Sequence, residues 1–514
     1  MTARVAAPLS GRLWFAIMFA SGFALVAILC APAWDYPIFA DDYQYGAIGE
    51  ANPFEHFVRP HTENAFYRPI AFLTISATQR FFGTHTWPLH VLHYIVHAAL
   101  GVAVFWLARR LSRSNLAAVL SWAFFITAQG AAHALASNDT LTQILSTAAG
   151  FGVLCIVVNL ASEGDPVNTP SSGALRSVLR VASVAGLAAL SLWSKESAVG
   201  LLAVTGAALV VAVWHRRLAI ARVVPVLVSI GAVTIAYWVA RSAASRATLH
   251  FGSGRHDLAI GLINAKNVVM MLVAAASPLS TVQVYVGVAD RDFVTLGVFA
   301  ALLGCVGVLM LAGIRSKLAS PRLTALAIAG AAVVVCFPAA LQNRVSELYA
   351  YNCLPFVAIL VGLGASVLIR DRHSRPRLAL GISLTAIILV SGAISTHSKA
   401  RLMAESGRQA DVVLAALCDH VSHAEQGSLI GLVDVHERPS YSVFVMSPFE
   451  LIGPTAEDDI IEMTQRPDVD LQWLSPSIAA RSRDSGGFTE FVEYRHGCVV
   501  PHRFDAPEPA ASRP

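Results

Sequence analysis

Apolar runs of about 20 residues recur along the chain, and they constrain its fold more than any other feature of the sequence. The first run extends from Trp14 to Ala31. Only 14% of the 514 residues are charged and 55% are hydrophobic, whereas soluble proteins average about 25% charged residues. The sequence therefore predicts a mainly α-helical, polytopic membrane protein.

Eleven of these runs have the length and composition of a membrane-spanning helix. They cover residues 13–31, 87–107, 115–132, 140–160, 178–194, 197–214, 222–240, 294–314, 322–341, 352–370 and 378–396. A further apolar run, 258–278, contains Asn264, Lys266 and Asn267. A single crossing there would reverse the orientation of every later span. We therefore predict that this run is re-entrant or interfacial, an arrangement that membrane proteins tolerate where protein or water covers the backbone.

The charges in the connections between the spans predict their orientation. One alternating set is rich in Lys and Arg and nearly free of acids, as in "RRLSR" (109–113) and "RDRHSRPR" (370–377). In the other set, acids match or outnumber bases. The positive-inside rule places the first set in the cytoplasm and the second outside. The predicted location is the cell inner membrane, with the C-terminal region from about residue 397 also facing outward.

The predicted transmembrane domain comprises residues 1–396 and includes a long first outward loop, 32–86. Within that loop, "YRPIAFLTISATQRFFG" (67–83) places apolar residues at helical spacing, with polar residues between them. This pattern is typical of an amphipathic helix that lies in the membrane interface. The alternative is a simple linker.

The hydropathy falls after residue 397, and residues 397–504 are predicted to form a small extracytoplasmic α/β domain. Two segments have the composition of strands, "SLIGLVDV" (428–435) and "YSVFVM" (441–446). Residues 505–514 are rich in Pro and Ala and are predicted to be a disordered tail.

Two adjacent acids, Asp41 and Asp42, follow the first apolar run and are the strongest functional candidates. Capping a following helix needs only one Asp, and ionisable residues at a membrane edge are functional candidates by default. A carboxylate at the outer face can act as a general base on an acceptor hydroxyl. We therefore predict that Asp41 and Asp42 are catalytic.

Further polar residues fall on the same predicted outward side. Arginine and lysine can hold a phosphate there, arginine by bidentate contact. The predicted residues for binding donor phosphate or substrate are Tyr67, Arg68, His90, Lys195, Glu196, Arg344 and Glu347. Two alternatives remain open. "SKES" (194–197) can be a self-neutralising charge pair at a helix junction, and "VSELYAYNCLP" (345–355) can be ordinary interfacial tyrosine anchoring.

Three histidines, His90, His93 and His97, share one face of a predicted helix. Histidines on such faces more often form hydrogen bonds between helices than bind metal, and no carboxylate at a fitting spacing accompanies these three. We predict no metal and no other cofactor, with a divalent cation as the less favoured alternative. Basic residues form no patch interleaved with aromatic residues, so nucleic acid is not a predicted partner.

The order of these motifs resembles the GT-C superfamily of membrane glycosyltransferases. Within it, the closest likeness is to protein O-mannosyltransferases, particularly the tetratricopeptide-containing branch and its bacterial relatives. The likeness covers about residues 13–370, although the chain lacks the tetratricopeptide array and no recognised domain corresponds to its C-terminal region. The resembling motifs are "FADDYQYG", "FYRPIAFLTI", "WPLHVLHYIVHAALGVAVFWLARRL", "AAHALASNDTL", "WSKESAVGLL" and "SELYAYNCLP".

The resemblance implies transfer of a sugar from a polyprenyl-phosphate donor at the outer membrane face. Asp41 would occupy the family's catalytic-base position, and Asp42 stands where the family often has Glu. Arg68, Lys195 and Arg344 would contact phosphate. A single displacement at the sugar C1 inverts its configuration, and the phosphate leaving group needs only cationic stabilisation.

The expected partners are a polyprenyl-phosphate-sugar lipid, membrane lipids, and an acceptor hydroxyl on a glycan, lipid or protein. A transporter or flippase of a lipid-linked solute is the main competing hypothesis. Transporters usually have inverted repeats with broken helices, and this sequence has one interrupted segment and no convincing repeat. A non-catalytic scaffold for envelope assembly is a third hypothesis.

Overall fold

A computed structural model describes most of the chain. The described residues are 11–39, 57–58, 67–83, 85–162, 170–215, 217–245, 258–315, 321–343, 345–370, 374–435, 440–441, 443–453, 456–483 and 487–504. Three predicted site residues, Asp41, Asp42 and Arg344, lie outside them, as does the predicted tail.

The long apolar runs form helices. Their bounds are Gly11–Leu29 (α1), Pro69–Phe82 (α2), Trp87–Ser112 (α3), Asn115–Thr127 (α4), Ala132–Ala136 (α5), Leu141–Ser162 (α6), Pro170–Ser194 (α7), Val199–Trp214 (α8), Ile220–Ser245 (α9), Leu262–Ala276 (α10), Thr281–Ala289 (α11), Phe293–Arg315 (α12), Pro321–Ala340 (α13), Ala350–Arg370 (α14) and Arg375–Ser422 (α15). Short 3-10 turns connect several of them, including Gln129–Ala131, Asn138–Thr140, Glu196–Ala198 and Glu347–Tyr349.

The helices confirm a polytopic membrane protein. Nine described helices are long and apolar enough to cross a membrane. The predicted span 115–132 is α4, which is bent by 50° against the segment Gln129–Ala136, and the predicted span 322–341 is the shorter α13. Each of the eleven predicted spans therefore corresponds to a helix in the described part of the chain. Helices α10 and α11 meet at a bend of 120°, which agrees with the re-entrant prediction for 258–278.

Helix α14 is the centre of the bundle, and every residue from Ala350 to Ser366 is buried. It packs against α4, α12 and α13. A Cβ atom at Gly362 would collide with the backbone of Ser121 on α4, and one at Gly364 would collide with the Leu309 carbonyl on α12. These glycines therefore allow the close helix approach that is typical of membrane bundles.

The first outward loop contains the predicted amphipathic helix, α2. Pro69 begins it, in the first-turn position where proline has no hydrogen bond to lose, and Gly83 follows its end with φ of 64°. The buried side chains Phe72 and Ile75 pack with Leu89 of α3 and Leu141 of α6. Helix α2 is thus fixed on the ends of the spanning helices.

Helix α15 is 48 residues long and continues far beyond its apolar part. The predicted boundary between residues 396 and 397 therefore lies inside one continuous helix. This geometry joins the C-terminal region to the bundle without a linker.

The C-terminal region forms a small sheet with short helices. Its strands are Leu429–Val433 (β1), Asp470–Leu474 (β2), Glu490–Arg495 (β3) and Cys498–Pro501 (β4), and its helices are Pro448–Ile452 (α16), Glu457–Thr464 (α17) and Pro476–Arg483 (α18). The strand order is β2-β1-β3-β4, with β1 parallel to both neighbours and β4 antiparallel to β3.

The two strand predictions had different outcomes. The segment 428–435 contains β1, as predicted. The prediction of a strand over 441–446 is wrong, because the described residues there form a tight loop closed by a backbone bridge between Tyr441 and Val445. This loop packs its apolar side chains on the membrane bundle instead of on a sheet neighbour.

Candidate functional site

Polar residues from distant parts of the sequence meet at one end of the bundle, where several helices begin, end or break. His133 lies at the break between α4 and α6, within electrostatic range of four other charges. Those charges belong to Asp139, Lys195, Glu347 and Lys399. Three of these charges, with their neighbours, form two groups. The Lys195 cluster consists of Arg68, Lys195, Glu196 and Tyr349. The Glu347 network consists of Gln129, Thr281, Glu347, Lys399 and Tyr441.

Arg68 and Glu196 form a bidentate ion pair in the Lys195 cluster. The Arg68 Nε lies 3.2 Å from Glu196 Oε2, and its Nη2 lies 2.9 Å from Oε1. Arg68 is only 6% exposed. Two parallel hydrogen bonds fix both the distance and the plane of the guanidinium. The pair therefore fastens the start of α2 to the turn between α7 and α8.

Lys195 lies next to this pair and is only 2% exposed. Its Nζ lies 4.6 Å from the centre of the Tyr349 ring. Within the part of the chain that the structure describes, Nζ has this cation–π contact and no hydrogen-bond acceptor. Burial and, secondarily, the Arg68 guanidinium lower the pKa of the Lys195 ammonium to about 7. The four residues of the cluster include two cations and one carboxylate, and Asp139 is a second carboxylate within electrostatic range of Lys195.

Two other predicted site residues anchor the ends of the first outward loop. The Tyr67 hydroxyl donates a hydrogen bond to the Phe57 carbonyl at 3.1 Å. The fully buried His90 places Nδ1 at 3.0 Å from the Trp34 carbonyl. The side chains of Tyr67 and His90 therefore hold the loop against the bundle, and their contact with substrate stays a prediction.

The chain that leads to Asp41 is fixed beside the break between α4 and α6. The Tyr36 hydroxyl donates to the Ala136 carbonyl at 2.7 Å and accepts from Asn138 Nδ2 at 3.4 Å. A Cβ atom at Gly407 of α15 would contact the Pro37 carbonyl at 2.5 Å, so a glycine is needed where α15 crosses this segment.

The Glu347 network is a second, fully paired group of charges. The Glu347 carboxylate pairs with the Lys399 ammonium and accepts hydrogen bonds from the hydroxyls of Thr281 and Tyr441. Lys399 is fully buried and also donates to Gln129 and Thr281. Both Glu347 oxygens therefore have protein partners.

Lys399, Thr281 and Gln129 were not predicted as site residues. Lys399 follows the last predicted span directly, where a lysine is usually a snorkelling interface residue. The helical periodicity of 398–423 carried the usable signal, because joining it to the preceding span places Lys399 on the continuous helix α15.

The predicted histidine face forms contacts within the bundle. His97 Nδ1 lies 2.7 Å from the hydroxyl of Tyr351, which belongs to α14, and the His93 Nδ1 faces the Leu135 carbonyl at 3.4 Å. A set of three or more His, Cys, Asp or Glu side chains that could hold a metal ion is absent from the described residues. Metal dependence itself stays untested.

No protein-family model and no curated protein matches this chain. Solved structures do match it. A crystal structure of ArnT from Cupriavidus metallidurans bound to undecaprenyl phosphate has a TM-score of 0.50 and 13% identity, covering 96% of this chain and 98% of that one.

Two further structures have lower TM-scores. The archaeal oligosaccharyltransferase AglB from Archaeoglobus fulgidus gives 0.49 at 11% identity, with 90% of this chain and 64% of that chain covered. The arabinofuranosyltransferase AftD from Mycobacteria gives 0.45 at 12% identity, with 95% and 37% covered.

The match to ArnT extends over nearly the full length of both chains. It shows that this chain shares the polytopic membrane fold of that structure. The closer resemblance to protein O-mannosyltransferases remains a prediction from the sequence motifs.

Proposed function

We propose that this protein is an inner-membrane glycosyltransferase that transfers a sugar from a polyprenyl-phosphate-linked donor to a hydroxyl acceptor on the outer face. The Lys195 ammonium carries this proposal. Buried charges in proteins are normally paired or hydrogen-bonded, whereas the Lys195 Nζ has no hydrogen-bond acceptor among the described residues and faces the Tyr349 ring, with Glu196 and Asp139 only at electrostatic range. A lipid phosphate would supply the missing anion.

The fold supports the same donor class. The ArnT structure, whose fold this chain shares, contains undecaprenyl phosphate, a lipid of the proposed kind. In the Lys195 cluster, Glu196 is hydrogen-bonded by Arg68, so the Lys195 Nζ is the cation that we propose binds the donor phosphate. Arg344 is proposed as a further phosphate contact.

Asp41 is the proposed catalytic base and Asp42 its supporting acid. Phe39, two residues before Asp41, is buried and its ring lies 5.7 Å from that of Tyr36. Tyr36 is itself anchored beside Asn138, so the described chain that precedes Asp41 is held at the break between α4 and α6. This anchoring supports the proposed role of the acidic segment.

The reaction would be a single displacement. The acceptor hydroxyl oxygen attacks the sugar C1 and the bond from C1 to the phosphate oxygen breaks, with its electron pair leaving on the phosphate. Asp41 takes the hydroxyl proton, and Lys195 stabilises the negative charge of the departing lipid phosphate. The configuration at C1 inverts. The acceptor is a hydroxyl of a glycan, a lipid or a protein.

The test is Asp41→Asn in cells that lack the native protein, with mass spectrometry of cell-envelope glycans. We expect loss of the sugar-modified species that the wild-type chain restores, at unchanged protein level. The matched control is Asp292→Asn, because Asp292 caps α12 from an exposed position and asparagine caps equally well. Unchanged glycans in Asp41→Asn would contradict the catalytic assignment.

The transporter hypothesis has one structural observation in its favour, the 120° bend between α10 and α11, because broken helices line the sites of many transporters. The same experiment separates the two functions. If the protein is a transporter, the wild-type chain moves solute and transfers no sugar.

A further inference from the structure

A loop of the C-terminal region enters the Glu347 network. The Tyr441 hydroxyl donates to Glu347 Oε2 at 3.2 Å, and its ring stacks on the Tyr285 ring of α11 at 4.7 Å. Phe444, only 6% exposed, places its ring 5.1 Å from the Lys399 Nζ. The loop is therefore inserted into the bundle, with one polar and two aromatic contacts.

The network is closed around its charges. Glu347 and Lys399 neutralise each other, and Thr281 contacts both of them. Gln129 accepts from Lys399 and donates to the Ala274 carbonyl of α10 at 2.8 Å. With both carboxylate oxygens engaged by protein, the structure favours a positioning role for Glu347 over the predicted contact with substrate.

Glu347 is connected to the Lys195 cluster by a single turn of chain. It begins the 3-10 turn Glu347–Tyr349, which is closed by a hydrogen bond from the Tyr349 amide to the Ser346 carbonyl at 3.1 Å. Tyr349 holds its ring against the Lys195 Nζ. Glu347 and Tyr349 therefore lie two residues apart in one hydrogen-bonded turn.

We propose that Tyr441, Lys399 and Glu347 form a latch that holds the C-terminal region on the bundle and positions Tyr349 against Lys195. Resting on the proposed function, this inference makes the C-terminal region a determinant of lipid-phosphate binding at Lys195. The three latch residues are positioning residues, since they act on the phosphate site through Tyr349.

The experiment uses the full chain in nanodiscs, with Tyr441→Phe as the test variant. This exchange removes the hydroxyl bonded to Glu347 and retains the ring that stacks on Tyr285. The matched control is Ser440→Ala, because the Ser440 hydroxyl bonds to Glu450 within the C-terminal region. Two quantities are measured: deuterium exchange of the amides in 443–453, and the Kd for undecaprenyl phosphate.

We expect Tyr441→Phe to exchange faster over 443–453 and to raise the Kd for undecaprenyl phosphate about 3- to 10-fold, the range of one typical net hydrogen bond. Ser440→Ala should leave the Kd unchanged. Faster exchange with an unchanged Kd would overturn the coupling to Lys195, and unchanged exchange would overturn the latch itself. A wild-type chain that binds no undecaprenyl phosphate would overturn the proposed function, while the exchange data still decide whether Tyr441 holds the loop.

Discussion

Two buried groups of charges lie at the same end of this bundle and differ in one respect. In the Glu347 network, Lys399 faces a carboxylate, and each charge has its counter-charge. In the Lys195 cluster, the carboxylate of Glu196 is engaged by Arg68, and Lys195 faces the Tyr349 ring. The first group has its ion pair within the protein, whereas Lys195 in the second group has no hydrogen-bonded carboxylate among the described residues, with Glu196 and Asp139 only at electrostatic range.

The difference separates structural charges from ligand-binding charges. A buried ion pair with all its hydrogen bonds satisfied has nothing left to offer a ligand, and removing one partner leaves a buried charge unpaired. Burying a cation without a hydrogen-bond acceptor costs free energy, and a bound anion lowers that cost. We therefore expect stability to depend on Lys399, and phosphate affinity to depend on Lys195.

The largest expected effect is on stability, from Lys399→Met. Because Glu347 would be left buried and unpaired, the free energy of unfolding should fall by about 3–5 kcal/mol. Adding Glu347→Gln removes the second charge and should recover most of this loss. Thermal unfolding of the purified variants measures both, with the exposed Lys266→Met as control. A double variant as unstable as the single one would show that the pairing is not the source of the stability.

Lys195→Met should weaken phosphate binding and leave stability intact, the opposite of Lys399→Met. No carboxylate loses a hydrogen bond, because Glu196 keeps Arg68, so unfolding should be unchanged or shifted to higher temperature. The Kd for undecaprenyl phosphate should rise about 30-fold or more, equivalent to about 2 kcal/mol. Lys266→Met again serves as the control in the binding titration. If Lys195→Met bound the lipid as tightly as the wild type, the distinction between the two groups would fail.

A smaller effect is expected from pH. Burial and Arg68 lower the pKa of Lys195 to about 7, so the side chain is cationic below that pH and neutral above it. Phosphate binding above pH 7 must then include proton uptake, and the Kd should rise by up to about tenfold per pH unit. Lys195→Arg keeps its charge and should flatten the profile above pH 7. If the Kd of Lys195→Arg rose with pH as steeply as that of the wild type, the titrating group would be a different residue.

The sequence predicted most of the membrane fold because hydropathy carries a strong local signal. Arg68, Lys195 and Glu196 were predicted as site residues, and the structure brings them together. Their pairing was not predicted, since 128 positions separate Arg68 from Glu196 and only the fold brings them into contact.

The latch could not be predicted for a similar reason. The segment 441–446 has the composition of a strand, but burial against Lys399 and Tyr285 outweighs that preference and produces a loop. Strand propensity is weak where packing against another region decides the conformation. In the sequence, Lys399 resembled a lysine at the membrane interface. Its partner, Glu347, lies in the turn before a different helix, so the pair could not be recognised from the sequence.

A structure of the full chain with undecaprenyl phosphate bound tests the central claim most directly. We predict that a phosphate oxygen lies within about 2.7–3.2 Å of the Lys195 Nζ, with the pair of Lys399 and Glu347 intact. A phosphate bound against Lys399, or at the opposite end of the bundle from Lys195, would contradict the assignment.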